Sequence, residues 1–153
     1  MAVALKDIRN AMNDASLLKE ACYIDGAWVK GESGKTIEVS DPATGELLGT
    51  VPSLGVAETK QAIAAAEAAL PAWRAKTAKE RSTILRKWFD LILENKDDLA
   101  YLMTREQGKP LAEAAGEVVY GASFVEWFAE EGKRVYGDVI PQTVGSRRIL
   151  AIK

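Results

Sequence analysis

Thr77-Ala78-Lys79-Glu80-Arg81 opens a run whose apolar residues, Ile84, Leu85, Trp88, Ile92 and Leu93, return at helical spacing until Asn95. Residues three and four apart fall on one face of an α-helix, so this run reads as an amphipathic helix burying that face. Thr77 and Glu80 have the spacing of a capping box, in which hydroxyl and carboxylate each satisfy a free backbone N–H of the first turn. Helical periodicity extends on both sides of it. Upstream, Ile63, Ala66, Leu70 and Trp73 form one stripe on an alanine-rich helix that begins near Ala57. Downstream, Asn95 breaks the run, and Asp97 is placed to cap a helix carrying Leu99, Leu102 and Met103 to about Glu106. Gly108-Lys109-Pro110 then resets the chain, and Pro110 suits the first position of a further helix running to about Glu131.

Outside this helical block the period is two. Tyr23-Ile24-Asp25-Gly26-Ala27-Trp28-Val29 is a short run of β-formers, Thr36-Ile37-Glu38-Val39 alternates polar and apolar, and Leu47 to Val51 precedes Pro52. Turn residues at 30–35 and 41–45 separate them, predicting a small antiparallel meander of three strands. After Gly137, Val139-Ile140 and Arg148 to Lys153 read as two strands joined through Gln142 to Gly145. Strands, about four helices, then strands is not the strand–helix alternation of a doubly wound parallel sheet. Three amphipathic helices in succession need something to cover, and thin hairpins offer little area. The chain also stops inside its last strand, so the expectation is a part of a larger domain.

Composition removes several functions. Twenty basic and 22 acidic residues give a net charge of −2, which supplies no field for nucleic acid or an anionic membrane. There is no histidine, so histidine-based triads and zinc sites are excluded. The single cysteine, Cys22, permits no intrachain disulfide and fits a reducing, cytoplasmic setting. No run approaches the length of a membrane span. The stretch from Met1 to Ser16 mixes acidic and basic residues and reads as a short amphipathic helix or arm, not a signal peptide.

Few residues suggest chemistry. Gly31-Glu32-Ser33-Gly34-Lys35-Thr36 imitates the end of a phosphate-binding loop, but Val29 stands where its first glycine belongs and a strand follows instead of a helix. It reads as a hairpin turn. Cys22 has no histidine partner and reads as structural or incidental. Tyr120, Phe124 and Trp127 lie on one helix face, with Val118, Ala122, Val125 and Ala129 on others. That aromatic face reads as core or as the wall of a channel. Glu130-Glu131-Gly132-Lys133-Arg134 is a solvated helix end, and Asp97-Asp98 and Glu113/Glu117 are explained by capping and solvation. No catalytic, cofactor-binding or metal-binding residue is assigned.

From about Leu17 to Lys153 the chain resembles the N-terminal third of an aldehyde dehydrogenase of the succinate-semialdehyde branch. The residues that carry the likeness are Tyr23 to Trp28, Asp41-Pro42-Ala43-Thr44-Gly45-Glu46, Leu70-Pro71-Ala72-Trp73-Arg74 and Thr77 to Arg81. They continue in Glu106-Gln107-Gly108-Lys109-Pro110 and in Ala122 to Glu131. The resemblance implies an α/β fold class and oxidation of an aldehyde, succinate semialdehyde, to its acid with NAD or NADP. In the family a cysteine thiolate attacks, hydride leaves to the nicotinamide, and water activated by a glutamate hydrolyses the thioester. Those residues lie beyond position 153 in the family pattern, so the isolated chain is expected to be inactive. The resemblance implies an N-terminal arm at 1–22, the first part of the NAD(P)-binding domain at 23–137, and the start of an oligomerisation β arm at 138–153. It implies a homo-oligomer and a substrate tunnel bordered by the helix bearing Tyr120, Phe124 and Trp127. The alternative is a non-enzymatic helical module that docks on a full-length dehydrogenase subunit.

Overall fold

Asp25 and Gly26 both adopt positive φ, 50° and 78°, and this pair folds the first β-rich run back on itself. Two consecutive left-handed residues match the twist of a two-residue hairpin, and Asp-Gly is a favoured sequence for it. The computed structural model describes residues 2–152, with side chains from Asp7 onward. Met1 and Lys153, expected in the arm and in the last strand, lie outside the described residues. Instead of a three-stranded meander, the first third contains two separate hairpins. β1 (Cys22–Ile24) pairs with β2 (Ala27–Val29), setting Tyr23 opposite Trp28 with ring centroids 5.3 Å apart. β3 (Thr36–Ser40) pairs with β4 (Leu47–Pro52), with a bulge at Val39/Ser40.

The intervening turn keeps the hairpins apart. Gly31 and Gly34 have φ of 78° and 64°, and the backbone N–H of Glu32 donates to the Glu58 carboxylate at 3.3 Å. Thr36 opens β3, as expected of a hairpin turn and not of a phosphate loop.

Before the hairpins, α1 (Ala2–Ala11) leads into one turn of 3-10 helix at Ala15–Leu17. After them come α2 (Val56–Ala75), α3 (Ala78–Glu94), α4 (Lys96–Gln107) and α5 (Leu111–Glu131), then the hairpin of β5 (Asp138–Ile140) and β6 (Ile149–Ala151). The Thr77–Glu80 capping box forms: the Thr77 hydroxyl accepts from the Glu80 N–H, and the Glu80 carboxylate accepts from the Thr77 N–H at 2.7 Å. Asn95 joins α3 to α4 directly, so Asp97 lies inside the first turn of α4 and is not its cap. Pro110 stands just before α5, and Ala114 N–H bonds to its carbonyl.

Two small apolar clusters meet at α4. Ile8, Met12 and Leu48 form one, joined by Leu17, Leu18, Val39, Tyr101 and Leu102. Ala100, Ala114 and Val118 form the other, joined by Ile92, Leu99 and Met103. The expectation that Ile84, Leu85, Trp88, Ile92 and Leu93 are buried is not met. Trp88, Ile84 and Leu93 are exposed, Leu85 and Ile92 half-buried, and α3 buries no residue fully. Among the described residues, α3 has α5 on one side and no partner of comparable size for the rest of its apolar face. α2 likewise buries no residue along its length, including Ile63 and Leu70 of its stripe. Among the described residues no helix is long and apolar enough to cross a membrane.

Candidate functional site

Helix α5 is apolar around most of its circumference, and its two sides differ in side-chain size. Ala114, Val118, Ala122 and Ala129 are buried. Small side chains there let α5 lie close to α3 and α4, the helices it packs against. The large side chains Tyr120, Phe124, Trp127 and Phe128 are left in the open.

Tyr120 and Phe124 stack edge to face, with centroids 4.9 Å apart and planes at 82°. This is the geometry that sets a ring's positive edge against a negative face. The pair borders an open groove of about 850 Å³ whose other walls include Trp88 and Leu91 of α3, Leu99 and Met103 of α4, and Leu17 of the arm. Glu117 lines it too and forms a close ion pair with Lys109. A second open groove, about 660 Å³, lies toward the end of α5 and is lined by Phe124, Trp127, Phe128 and Arg134 with three glutamates. Phe124 belongs to both grooves, Tyr120 to the first and Trp127 to the second. The structure thus puts the three aromatics on one continuous exposed surface, with Tyr120 64%, Phe124 48% and Trp127 61% exposed.

The charged groups around this surface are paired. Arg86 of α3 donates to Glu126 of α5 at 2.8 Å and lies 3.3 Å from Asp90. Glu130 pairs with Lys133 at 2.8 Å, and Glu131 closely with Arg134. The hydrogen bond and charge of Lys133 hold the Glu130 carboxyl below the usual carboxylate range. Tyr, Phe and Trp rings supply apolar area and orientation. They offer no nucleophile poised by a base.

Two carboxylates prove structural: Asp98, read from the sequence as capping or solvated, and Asp41, read as a turn residue. Asp98 is 4% exposed and accepts from the N–H groups of Asn13 at 2.9 Å and Asp14 at 2.7 Å, and from the Asn13 side-chain amide at 3.1 Å. The signal for it lay in register: Asp98 precedes Tyr101 and Leu102 by three and four residues, which puts it on the apolar face of α4. Asp41 is 7% exposed, folds the 41–45 turn by accepting from Ala43 at 2.8 Å, and lies 3.3 Å from Arg105, which also reaches Glu46 at 3.0 Å. Cys22 is a half-buried free thiol on β1.

Known proteins share both the sequence and the fold. The model of the aldehyde dehydrogenase family matches residues 28–153. A glutarate-semialdehyde dehydrogenase of Pseudomonas aeruginosa is 61% identical over 142 residues, covering 93% of this chain and 29% of its own length. An NADP(+) succinate-semialdehyde dehydrogenase of Escherichia coli is 58% identical over 142 residues, 93% of this chain and 30% of that protein. Among solved structures, a succinate-semialdehyde dehydrogenase from Burkholderia pseudomallei superposes with a TM-score of 0.85 at 61% identity, over 92% of this chain and 29% of that one. The chain therefore spans about three tenths of the length of the relatives it matches. It belongs to the aldehyde dehydrogenase family.

Proposed function

We propose that the chain is the N-terminal portion of an NAD(P)-dependent semialdehyde dehydrogenase, with succinate semialdehyde or its one-carbon-longer homologue as substrate. The observation that carries this reading is the exposed edge-to-face pair of Tyr120 and Phe124 at an open apolar groove, in a chain so similar to semialdehyde dehydrogenases. In that role Tyr120, Phe124 and Trp127 form one wall of the route by which the aldehyde reaches the reacting centre. Rigid apolar rings exclude water and orient a short carbon chain without binding its charge.

The chemistry belongs to residues outside this segment. NAD(P) supplies the hydride acceptor in the whole enzyme. Among the described residues the strand pairs are all antiparallel and two-stranded, and no strand leads by a glycine-rich turn into a helix with its N–H groups free for a pyrophosphate. This segment does not fit a dinucleotide on its own. Residues 138–153 serve as the start of an arm joining subunits, residues 23–137 as the first part of the cofactor domain, and the enzyme works in the reducing cytoplasm.

The test is direct. The purified 153-residue chain, given succinate semialdehyde with NAD or NADP, should form no reduced nicotinamide above the rate without protein. Aldehyde-dependent reduction would show that the chain holds its own catalytic machinery. If the chain instead co-purifies stoichiometrically with an intact dehydrogenase as a separate polypeptide, the docking-module reading replaces this one.

A further inference from the structure

Asp98 is a buried carboxylate whose hydrogen bonds run to a segment 84 and 85 residues away. Among the described residues, the hydrogen bonds tying the arm (residues 7–18) to the helices all end on it. Asn13 and Asp14 lie between α1 and the 3-10 turn at Ala15–Leu17, so Asp98 grips the arm at its joint. On one side of the joint, Ile8 and Met12 pack on Leu48. On the other, Leu17 packs against that cluster and also lines the Tyr120–Phe124 groove beside Leu99 and Met103. A bonded carboxylate in such a place is stable, and one that loses its partners is costly to keep buried. The arm's position and the state of Asp98 are thereby coupled.

We infer that the arm is a strap which Asp98 fastens across the α4 side of the Tyr120–Phe124 groove, and that unfastening it uncovers that wall of the groove while α3, α4 and α5 stay folded. The inference rests on the geometry of arm and groove and holds whatever passes through the groove. Asp98→Asn is the informative change. It keeps size and shape, but whichever way the amide is turned it sets NH2 against a backbone or side-chain N–H of the arm. Asp97, one residue earlier on the exposed side of α4, provides the matched control, Asp97→Asn.

The readout is built in, because the chain has three methionines. Met12 reports the arm and Met103 the groove beside Leu17. In Asp98→Asn the methyl NMR signals of both should move toward the solvent-exposed position, and tryptic cleavage after Arg9 should speed up about tenfold, as loss of a charge-assisted hydrogen bond predicts. Asp97→Asn should leave both unchanged. A Met12 signal that moves while Met103 stays would overturn the strap, as would an Asp98→Asn arm cleaved at the parent rate. Hydrogen exchange on the unaltered chain provides a check that needs no variant. The amides of Asn13 and Asp14 should open faster than those of α5, and exchange of arm and helices as one unit would also overturn it.

Discussion

Gly108 stands against Pro42: a Cβ added to Gly108 would lie 2.8 Å from Pro42 Cγ. Gly108 ends α4 in the left-handed region at φ 80°, with its N–H on the Thr104 carbonyl. The contact joins the Asp41–Gly45 turn to the end of α4, where Arg105 already bridges Asp41 and Glu46. Two sequence segments that carry the family likeness are thus one structural unit. Gly108→Ala combines a left-handed alanine with a contact closer than side chains tolerate, and should destabilise the chain by about 2 kcal/mol. Urea unfolding with an unchanged slope measures it.

Gly137 makes a similar demand on the C-terminal hairpin. At φ 76°, any Cβ there would collide with the carbonyl oxygen of Ala151, at the end of β6. Gly137→Ala should unpair β5 from β6 and leave the helices intact. Loss of amide protection at 138–140 and 149–151, with helical circular dichroism unchanged, is the expected pattern.

Pro71 lies inside α2, which continues to Ala75. Proline removes one helical N–H and crowds the preceding turn, and its interior cost is about 3 kcal/mol. Because α2 buries nothing that depends on a bend, Pro71→Ala should raise helicity and the stability of α2, by about 1 kcal/mol or more. Circular dichroism at 222 nm against urea would show it.

The Thr77–Glu80 cap brings a pH dependence. Hydrogen bonds from Thr77 hold the Glu80 carboxyl below its usual 4.5. A lowered folded-state value means that the cap contributes stability above the unfolded value and loses it as pH falls through the lowered one. Glu106 runs the opposite way. It shares a hollow with Val39, Leu48 and Leu102, and loss of water there raises its carboxyl. Its charged form therefore costs stability as pH rises through the raised value. Thr77→Ala should lose about 1 kcal/mol at pH 7 and less at pH 3. Glu106→Gln should stabilise the chain at pH 7 and lose that advantage at pH 3. Thermal melts at the two pH values check both.

The two sides of α5 should respond unequally. Ala122 is 1% exposed against its neighbours, so Ala122→Leu should overpack the seam and cost about 1–3 kcal/mol. Trp127→Ala on the open side should cost less than about 0.5 kcal/mol. In a whole subunit carrying this segment, Phe124→Ala should raise KM for the semialdehyde about tenfold with kcat little changed.

Local rules made much of this legible. The cap at Thr77, the stop at Asn95, the end of α5 near Glu131 and the last hairpin were readable because each depends on neighbours in sequence. The Asp25-Gly26 turn was missed: the β-formers of 23–29 read as one strand, although Asp-Gly is a local hairpin signal and divides them into β1 and β2. What periodicity could not give was the occupant of each apolar face. The stripe of Trp88, Ile84 and Leu93 shows that α3 has an apolar side, but burial needs a partner, and α5 covers only part of it. Asp98 was obscured for the same reason, since its partners lie more than 80 residues away. The aromatic face of α5 was visible as a face; the groove at Tyr120 and Phe124 takes its other walls from α3, α4 and the arm, and sequence spacing says nothing of them.

The intact mass of the natural product of this gene decides whether the chain is one part of a larger dehydrogenase subunit. A subunit more than three times the 16.6 kDa of this chain is expected, in keeping with relatives of which it spans about three tenths. A natural product of 16.6 kDa would contradict it, leaving the open faces of α3 and α5 without the rest of a dehydrogenase to cover them.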